Sequence, residues 1–325
     1  MSRSNPVERC KRISLYRMWS GNTNSEDRTS EHSAVENTVR SHRSTLQNIE
    51  SAKGLVTRIC PNRRFALLII DVQNDFIDGS LAVGKGSAGQ NPQEYIERIN
   101  VLIEKFHEQF SVIVTTLDWH PANHISFHDN LYLRKDRCSN PNAAPFERVH
   151  FRPTKTPSFF SKLCSSKIGD DDESESRRYE QKLWPRHTVA DSWGAQLSNV
   201  LRLPKNVATV RKGTNPERDS YSAFDPTDNA LRIILEAYQI TDVFCCGIAY
   251  DICVGSTVLD ALKNGFNACL ISNCSVALSL QDAEAMNRRI RNAGGIVCSL
   301  STISPVLNRI KYPVEWLDQL LRRQN

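Results

Sequence analysis

Four side chains with chemistry to offer stand at the ends of short apolar runs. Asp71 follows residues 65–70, Asp118 follows 112–117, Lys212 follows 207–211, and Cys253 lies just beyond 243–246. Together they supply an acid, an ammonium and a thiol, a set suited to covalent acyl transfer. A thiol at the start of a helix feels the positive end of the helix dipole, and a nearby ammonium favours its thiolate. A carboxylate beside it can take the thiol proton and later deliver it to a departing amine. Backbone N–H groups of the turn Gly247-Ile-Ala-Tyr-Asp-Ile-Cys253 are placed to receive a developing oxyanion. Taken singly, each residue has an ordinary alternative: Asp71 or Asp118 capping a turn, Lys212 solvated, Cys253 filling a small core site.

A second constellation joins Asp118-Trp-His120 to His187 of Leu183-Trp-Pro-Arg-His187. One carboxylate and two imidazoles suit a divalent metal that keeps open positions for water or substrate. Three unrelated polar loop residues are the plain alternative. His124 and His128 repeat at a spacing of four, but Pro121 and Asn123 make this stretch a turn, so no helical histidine site is expected there. His107 and His150 read as surface residues. The ten cysteines contain no Cys-x-x-Cys pair, and Cys245, Cys246, Cys269 and Cys298 fall inside apolar strand-like runs. That is the usage of a reduced, intracellular protein with buried thiols.

The elements that must position these groups alternate along the chain. Residues 65–70 form a continuous apolar run, as expected of a strand covered on both faces. Pro92 opens a helix with Tyr95, Ile96, Ile99, Leu102, Ile103 and Phe106 on one face. Further strands are expected at 112–117, 207–211, 243–246, 266–272 and 296–300. Helices are expected at 230–238, from Cys253 onward, and at 282–292. Strand–helix alternation predicts an α/β fold, a doubly wound, mainly parallel sheet with helices on both faces. Such sheets bind ligands along the carboxyl ends of their strands, which is where the four reactive residues fall.

At 325 residues the chain has ample length for a buried core, and no apolar run is long enough to cross a bilayer. Residues 1–62 carry ten Lys/Arg and six Asp/Glu, so +4 of the net +5 lies there, and the remainder is near neutral. A near-neutral core is no nucleic-acid platform. The segment 1–62 lacks apolar periodicity and reads as a disordered basic extension. Its Arg-rich start leaves a mitochondrial presequence as the lesser reading beside a cytoplasmic or nuclear protein. Residues 63–304 read as the folded domain. Within it, 130–182 reads as a loop insertion that includes the charge run Gly169-Asp-Asp-Asp-Glu-Ser-Glu-Ser176. Residues 305–325 read as a helical tail, with Val314, Leu317, Leu320 and Leu321 on one face.

Five stretches carry a family resemblance. They are Asp71-Val-Gln-Asn-Asp-Phe76, Asp118-Trp-His-Pro-Ala-Asn-His-Ile-Ser-Phe127, Leu183-Trp-Pro-Arg-His187, Lys212-Gly213 with Asp219-Ser-Tyr-Ser-Ala-Phe224, and Gly247-Ile-Ala-Tyr-Asp-Ile-Cys-Val254. In this order they resemble the nicotinamidase branch of the isochorismatase-like cysteine hydrolases, over about residues 65–300. The resemblance implies that Asp71, Lys212 and Cys253 are catalytic and that Asp118, His120 and His187 hold one divalent metal, zinc first, with iron or manganese as alternatives. It implies a cis peptide between Ile248 and Ala249, with the amides of Ala249 and Cys253 forming the oxyanion hole. Phe76, Leu81, Trp184 and Tyr221 would line a pyridine pocket. Thr188 stands where the family usually has Cys, and Ile252 where an aromatic residue sometimes precedes the nucleophile.

The implied activity is hydrolysis of nicotinamide to nicotinate and ammonia, a step of NAD salvage. The implied partner is this small molecule, without nucleic acid or membrane, and self-association into a homo-oligomer stays open. Two other readings remain at this point. One is a relative acting on another small amide or a vinyl ether; metal-free relatives of that kind lack the Asp118/His120/His187 set. The other is a catalytically silent binding or scaffold protein, against which the intact Asp71, Lys212 and Cys253 argue.

Overall fold

The computed structural model describes residues 63–153, 178–225 and 228–309, together with Pro313 and Trp316. The described strands are β1 (Phe65–Ile70), β2 (Val112–Asp118), β3 (Arg148–Phe151), β4 (Tyr179–Lys182), β5 (Ala208–Lys212), β6 (Asp242–Ile248), β7 (Asn267–Val276) and β8 (Ile296–Cys298). Six of them form one parallel sheet in the order β5-β2-β1-β6-β7-β8, while β3 and β4 form a separate antiparallel pair. β1 lies at the centre, its Leu68 opposite Val114 of β2 on one side and Cys245 of β6 on the other. The chain winds outward from β1 in both directions, so a crevice opens beyond the carboxyl ends of β1 and β6.

Burial follows position in the sheet. β1, β2 and β6 are buried at every residue, and covered strands of this kind need apolar runs rather than alternation. β5 lies at an edge and alternates, with Thr209 and Arg211 exposed and Val210 and Lys212 buried.

The helices are α1 (Pro92–Phe106), α2 (Ala230–Ala237), α3 (Gly255–Lys263), α4 (Leu280–Asn292) and α5 (Leu300–Leu307). Asn91 caps α1 by accepting the Gln93 N–H at 3.2 Å, and Pro92 fills the first turn, where no N–H is needed. Leu231 and Leu235 of α2, Val258 of α3, and Met286 and Ile290 of α4 share one core with Leu68, Val114 and Leu270 of the sheet. α1 gives nothing to that core and packs on β6 and β7 from the opposite face. There Phe244 meets the rings of Phe65, Phe110 and Trp316 at 5.4, 5.9 and 5.7 Å. Each such side chain contributes about 1.5–3 kcal/mol by leaving water, so the two faces together fix the sheet firmly.

The structure departs from expectation in two places. Leu300 does not end a strand. Ser299 and Thr302 form reciprocal side-chain caps that start α5 at Leu300, despite Pro305 within the helix. The stretch 130–182 is not loop throughout: His128–Arg137 makes 3-10 turns, and β3 pairs with β4 from Arg148↔Lys182 to Phe151↔Tyr179. Val149 and Phe151 face inward to join Ile125, Leu131 and Leu183 in a small core of their own. The expected extension 1–62, the charge run 169–176 and the tail positions Val314, Leu317, Leu320 and Leu321 lie outside the described residues. No described helix is long and apolar enough to cross a membrane.

Candidate active site

Asp71 follows β1 directly, with φ of 49° and a side chain that accepts the Thr116 hydroxyl at 2.6 Å. Asp118 and Lys212 end β2 and β5 as register partners. Lys212 is 1% exposed, and its Nζ lies 2.9 Å from Asp71 Oδ2, 3.2 Å from the Ser220 carbonyl and 3.5 Å from Cys253 Sγ. It also donates to Asp118 Oδ1. Four strand ends thus place an ammonium between two carboxylates and a thiol.

Cys253 is reached through a tight turn out of β6. Gly247 has φ of 124°, and a Cβ there would stand 2.1 Å from the Ile70 carbonyl oxygen, so only glycine lets β6 close on β1. The Ile248–Ala249 peptide is cis, as the resemblance implied. The N–H groups of Ile252 and Val254 both return to the Ala249 carbonyl, at 3.1 and 3.0 Å, and wind Cys253 into the turn Tyr250–Val254 ahead of α3. Asp251 ties this turn to the segment between β7 and α4 by accepting the N–H groups of Leu278 and Ser279 at 2.9 and 3.0 Å.

Burial dominates the electrostatics. It pushes the Cys253 thiol well above the ordinary value; Lys212 opposes, and Asp71 and Asp118 add to the rise. Burial thus favours the protonated sulfur, and a carboxylate oxygen of Asp71 lies within 4.8 Å of it. Asp71 is also raised, because burial with Asp118 beside it outweighs Lys212 and the Thr116 hydrogen bond. Burial opposes the charge on Lys212, but Asp118, Asp71 and Cys253 together hold it well above the ordinary lysine value. A raised carboxyl within 4.8 Å of a raised thiol is placed to exchange one proton with it.

Asp118, His120 and His187 bring donor atoms within 4.8 Å of one another, all three buried. His120 Nδ1 faces the Gly213 carbonyl at 2.9 Å, and His187 Nδ1 faces that of Pro185 at 2.7 Å. A carbonyl can only accept, so each Nδ1 carries a proton and Nε2 is the atom each ring can offer a metal. Burial opposes a charge on His120, but Asp118, 3.6 Å from its Nε2, raises it above the ordinary value, so a metal there would displace a proton. Burial and His120 push His187 down to about 4, so its ring is neutral. Burial would raise Asp118, but Lys212, His120 and His187 hold it far below the carboxylate range. This donor set fits a divalent cation. His124 stacks on His120 with ring centroids 4.1 Å apart and hydrogen-bonds Ser126 Oγ at 2.7 Å. His120, His124 and Asp219 form another group with donor atoms within 4.8 Å. His128 faces the Ala143 carbonyl at 3.0 Å and joins neither group.

Asp118, His120, His187 and Cys253 open onto one cleft with an empty volume of about 440 Å³, counting its mouth. Phe76, Leu81, Trp184 and Tyr221 all line it, with Ala249 and Cys253. The Trp184 indole N–H donates to Tyr221 OH at 3.1 Å. Val83, Leu278 and Asp219 also line the cleft and were missed; Val83 and Leu278 lie outside every quoted motif, while Asp219 opens one of them. Gln73 was missed as well. Its amide donates to the carbonyls of Asp118 and Ala195, each at 2.8 Å, and accepts the Asp118 N–H at 2.9 Å, so it bolts three loops together. Its place inside the first motif was the available signal.

The sequence model of the isochorismatase domain matches residues 65–302. The chain belongs to the isochorismatase family. Among relatives of this isochorismatase-family chain, the nicotinamidase of Saccharomyces cerevisiae is 31% identical over 231 residues, which are 68% of this chain and 92% of the relative. PnC1 from L. infantum, solved in complex with nicotinate, superposes with a TM-score of 0.53 and 29% identity, covering 73% of this chain and 93% of that one. The pyrazinamidase of Pyrococcus horikoshii, solved in complex with zinc, gives a TM-score of 0.52 at 27% identity, covering 73% and 99%. Every reactive residue described above falls inside the matched span.

Proposed function

We propose that this protein is a nicotinamidase, hydrolysing nicotinamide to nicotinate and ammonia through a thioester on Cys253. The observation that carries the reading is the Cys253 thiol, within 4.8 Å of an Asp71 carboxylate oxygen and 3.5 Å from Lys212 Nζ, on the wall of an aromatic-lined cleft. The relatives' names and the nicotinate in one of them supply the substrate class.

Phe76, Leu81, Trp184 and Tyr221 hold the pyridine ring and exclude water from it. Cys253 Sγ attacks the carboxamide carbon as its proton passes to Asp71. Lys212 steadies the sulfur's developing negative charge and keeps Asp71 beside it. The amides of Ala249 and Cys253 receive the oxyanion, a contribution of about 3–4 kcal/mol per donor in comparable sites. Ammonia departs with the proton held on Asp71, leaving the thioester. Asp71 then takes a proton from water, which attacks the same carbon, and nicotinate leaves as the proton returns to sulfur. Asp118, His120 and His187 would hold a divalent cation, zinc first because the Pyrococcus neighbour holds it, with iron or manganese suited to the same donors. When bound, the cation supplies a Lewis-acid position for the pyridine nitrogen.

The reaction fits recovery of pyridine nucleotides in the cytoplasm or nucleus, where the free thiols of the described cysteines would stay reduced. Purified full-length protein should release ammonia from nicotinamide, and Cys253→Ala should lose this by at least about a thousandfold while keeping its far-UV spectrum. Ammonia release by Cys253→Ala near the wild-type rate would remove the thioester mechanism.

A further inference from the structure

Asp75 takes no part in the chemistry above, yet its own turn and one distant segment close tightly over its carboxylate. A Cβ on Gly79 would come within 2.3 Å of its Oδ1, and one on Gly194 within 2.0 Å of its Oδ2. Oδ1 accepts the Ser80 N–H at 3.1 Å, and Oδ2 accepts the Thr188 N–H at 2.7 Å. The Asp75 N–H donates to the Gly194 carbonyl, and its carbonyl accepts from Leu81, each at 3.1 Å. The carboxylate therefore clips the loop 187–195 to the turn that carries Phe76 and Leu81.

Thr188 is the residue it grips. Thr188 follows His187, is wholly buried and has φ of 43°. β-Branched residues avoid this conformation, which persists only where the surroundings over-determine it. The Thr188 side chain gives no help, since its buried Oγ1 has no hydrogen-bond partner among the described residues. Its carbonyl accepts the His120 N–H at 3.0 Å, and the Ala190 N–H returns to the His120 carbonyl at 2.8 Å. The turn at Thr188 thus sets the backbone of His187 and of His120 together.

We propose that Asp75 is a positioning residue for the metal-holding group: by fixing the strained turn at Thr188 it aims His187 and His120 toward Asp118. This rests on the assignment of Asp118, His120 and His187 as metal ligands. Partners one step behind a metal's ligands orient them, and their loss usually weakens metal binding by 10–100-fold.

The test is the zinc affinity of the full-length, zinc-loaded protein, measured by competition with a chromophoric chelator. Four variants are compared with wild type: Asp75→Asn, Asp75→Ala, Thr188→Gly and Asp75→Asn with Thr188→Gly. Asparagine keeps the size but places an NH2 against one of the two N–H donors. Asp75→Asn is expected to weaken zinc binding at least about tenfold, and Asp75→Ala further. Glycine adopts positive φ without strain, so in the Thr188→Gly background Asp75→Asn should cost less than about threefold. A merely structural role would lower the melting temperature alike in both backgrounds and leave zinc affinity in place. Zinc affinities of Asp75→Asn and Asp75→Ala within twofold of wild type would overturn the inference alone. So would an equal tenfold loss in both backgrounds. A wild-type protein that takes up no zinc would overturn both the inference and the ligand assignment.

Discussion

Replacing Gly247 with alanine probes the contact on which the nucleophile's position depends. Its φ of 124° is one that residues with a Cβ rarely adopt, at about 1–3 kcal/mol. The added Cβ would stand 2.1 Å from the Ile70 carbonyl oxygen and 2.8 Å from the Ile70 nitrogen. Both atoms are backbone of a strand buried along its whole length, so relief requires β1 to shift between its two neighbours. Overpacking of that kind adds about 1–3 kcal/mol. We expect Gly247→Ala to lose about 2–6 kcal/mol in all. Gly89 is the reference, with φ of 60° and nothing within 4 Å of where its Cβ would stand, so Gly89→Ala loses only the left-handed preference, about 1 kcal/mol. Urea unfolding with a common slope gives both values, and their difference isolates the collision. Ammonia release by folded Gly247→Ala should also fall at least about tenfold, because the turn to Cys253 starts there. A Gly247→Ala variant no less stable than Gly89→Ala would refute the reasoning.

Benzamide matches nicotinamide in ring size and carboxamide but lacks the ring nitrogen, so its kcat/KM should be at least about a hundredfold lower. His187→Ala should narrow that gap by harming nicotinamide more, and equal specificity constants in the wild type would remove any orienting role for a metal. Cys245→Ala should leave kcat unchanged and cost about 1–2 kcal/mol of stability, since this buried thiol lies in the core shared with α2, α3 and α4; a large loss of turnover would place it in the site after all. Burial alone would raise the Glu217 carboxyl, but hydrogen bonds from Arg134 and Arg137 hold it below its usual range. Its contribution is therefore complete above the unfolded carboxyl value and lost as pH falls through the lower folded one. Because the side chain is 43% exposed, Glu217→Gln should remove no more than about 1 kcal/mol at neutral pH and flatten the acid limb of a stability–pH curve, which unchanged curves would contradict.

The parts of the fold that could be read in advance share a physical cause. β1 and β6 are covered on both faces, so burial demands apolar residues at every position and the run stands out. α1 shows itself through a one-sided stripe and a proline start. The pair β3–β4 was hidden because each strand has only four residues and finds its partner some thirty residues away, beyond a charge run. α5 was hidden because Pro305 argues against a helix, while the Ser299–Thr302 cap that rescues it involves two common residue types. At the site, the reactive residues were legible from their places after strands, a rule of topology. The Thr188 turn and the Asp75 grip were not, because positive φ and a fit against Gly194 leave no periodic trace. The balance of forces on the Cys253 proton was hidden for a similar reason. A helix dipole and a lysine can be inferred from sequence order, but the depth of burial that outweighs them cannot.

The central place of β1 has a consequence for how the protein is made. β1 needs β2 on one side and β6 on the other, and Phe65 meets Asp242, 177 residues later, at that second edge. At about 5–20 residues per second of synthesis, the β6-facing edge of β1 waits roughly 10–35 s for its partner to emerge. During that interval the nascent chain offers a fully apolar strand with an open row of N–H and C=O groups, the surface most prone to pair with a stranger. Asp71 sits at the tip of that same strand, and Cys253 arrives only with the chain that closes it. A ribosome-bound or truncated chain that stops before β6 therefore carries the aggregation hazard without any of the thiol chemistry.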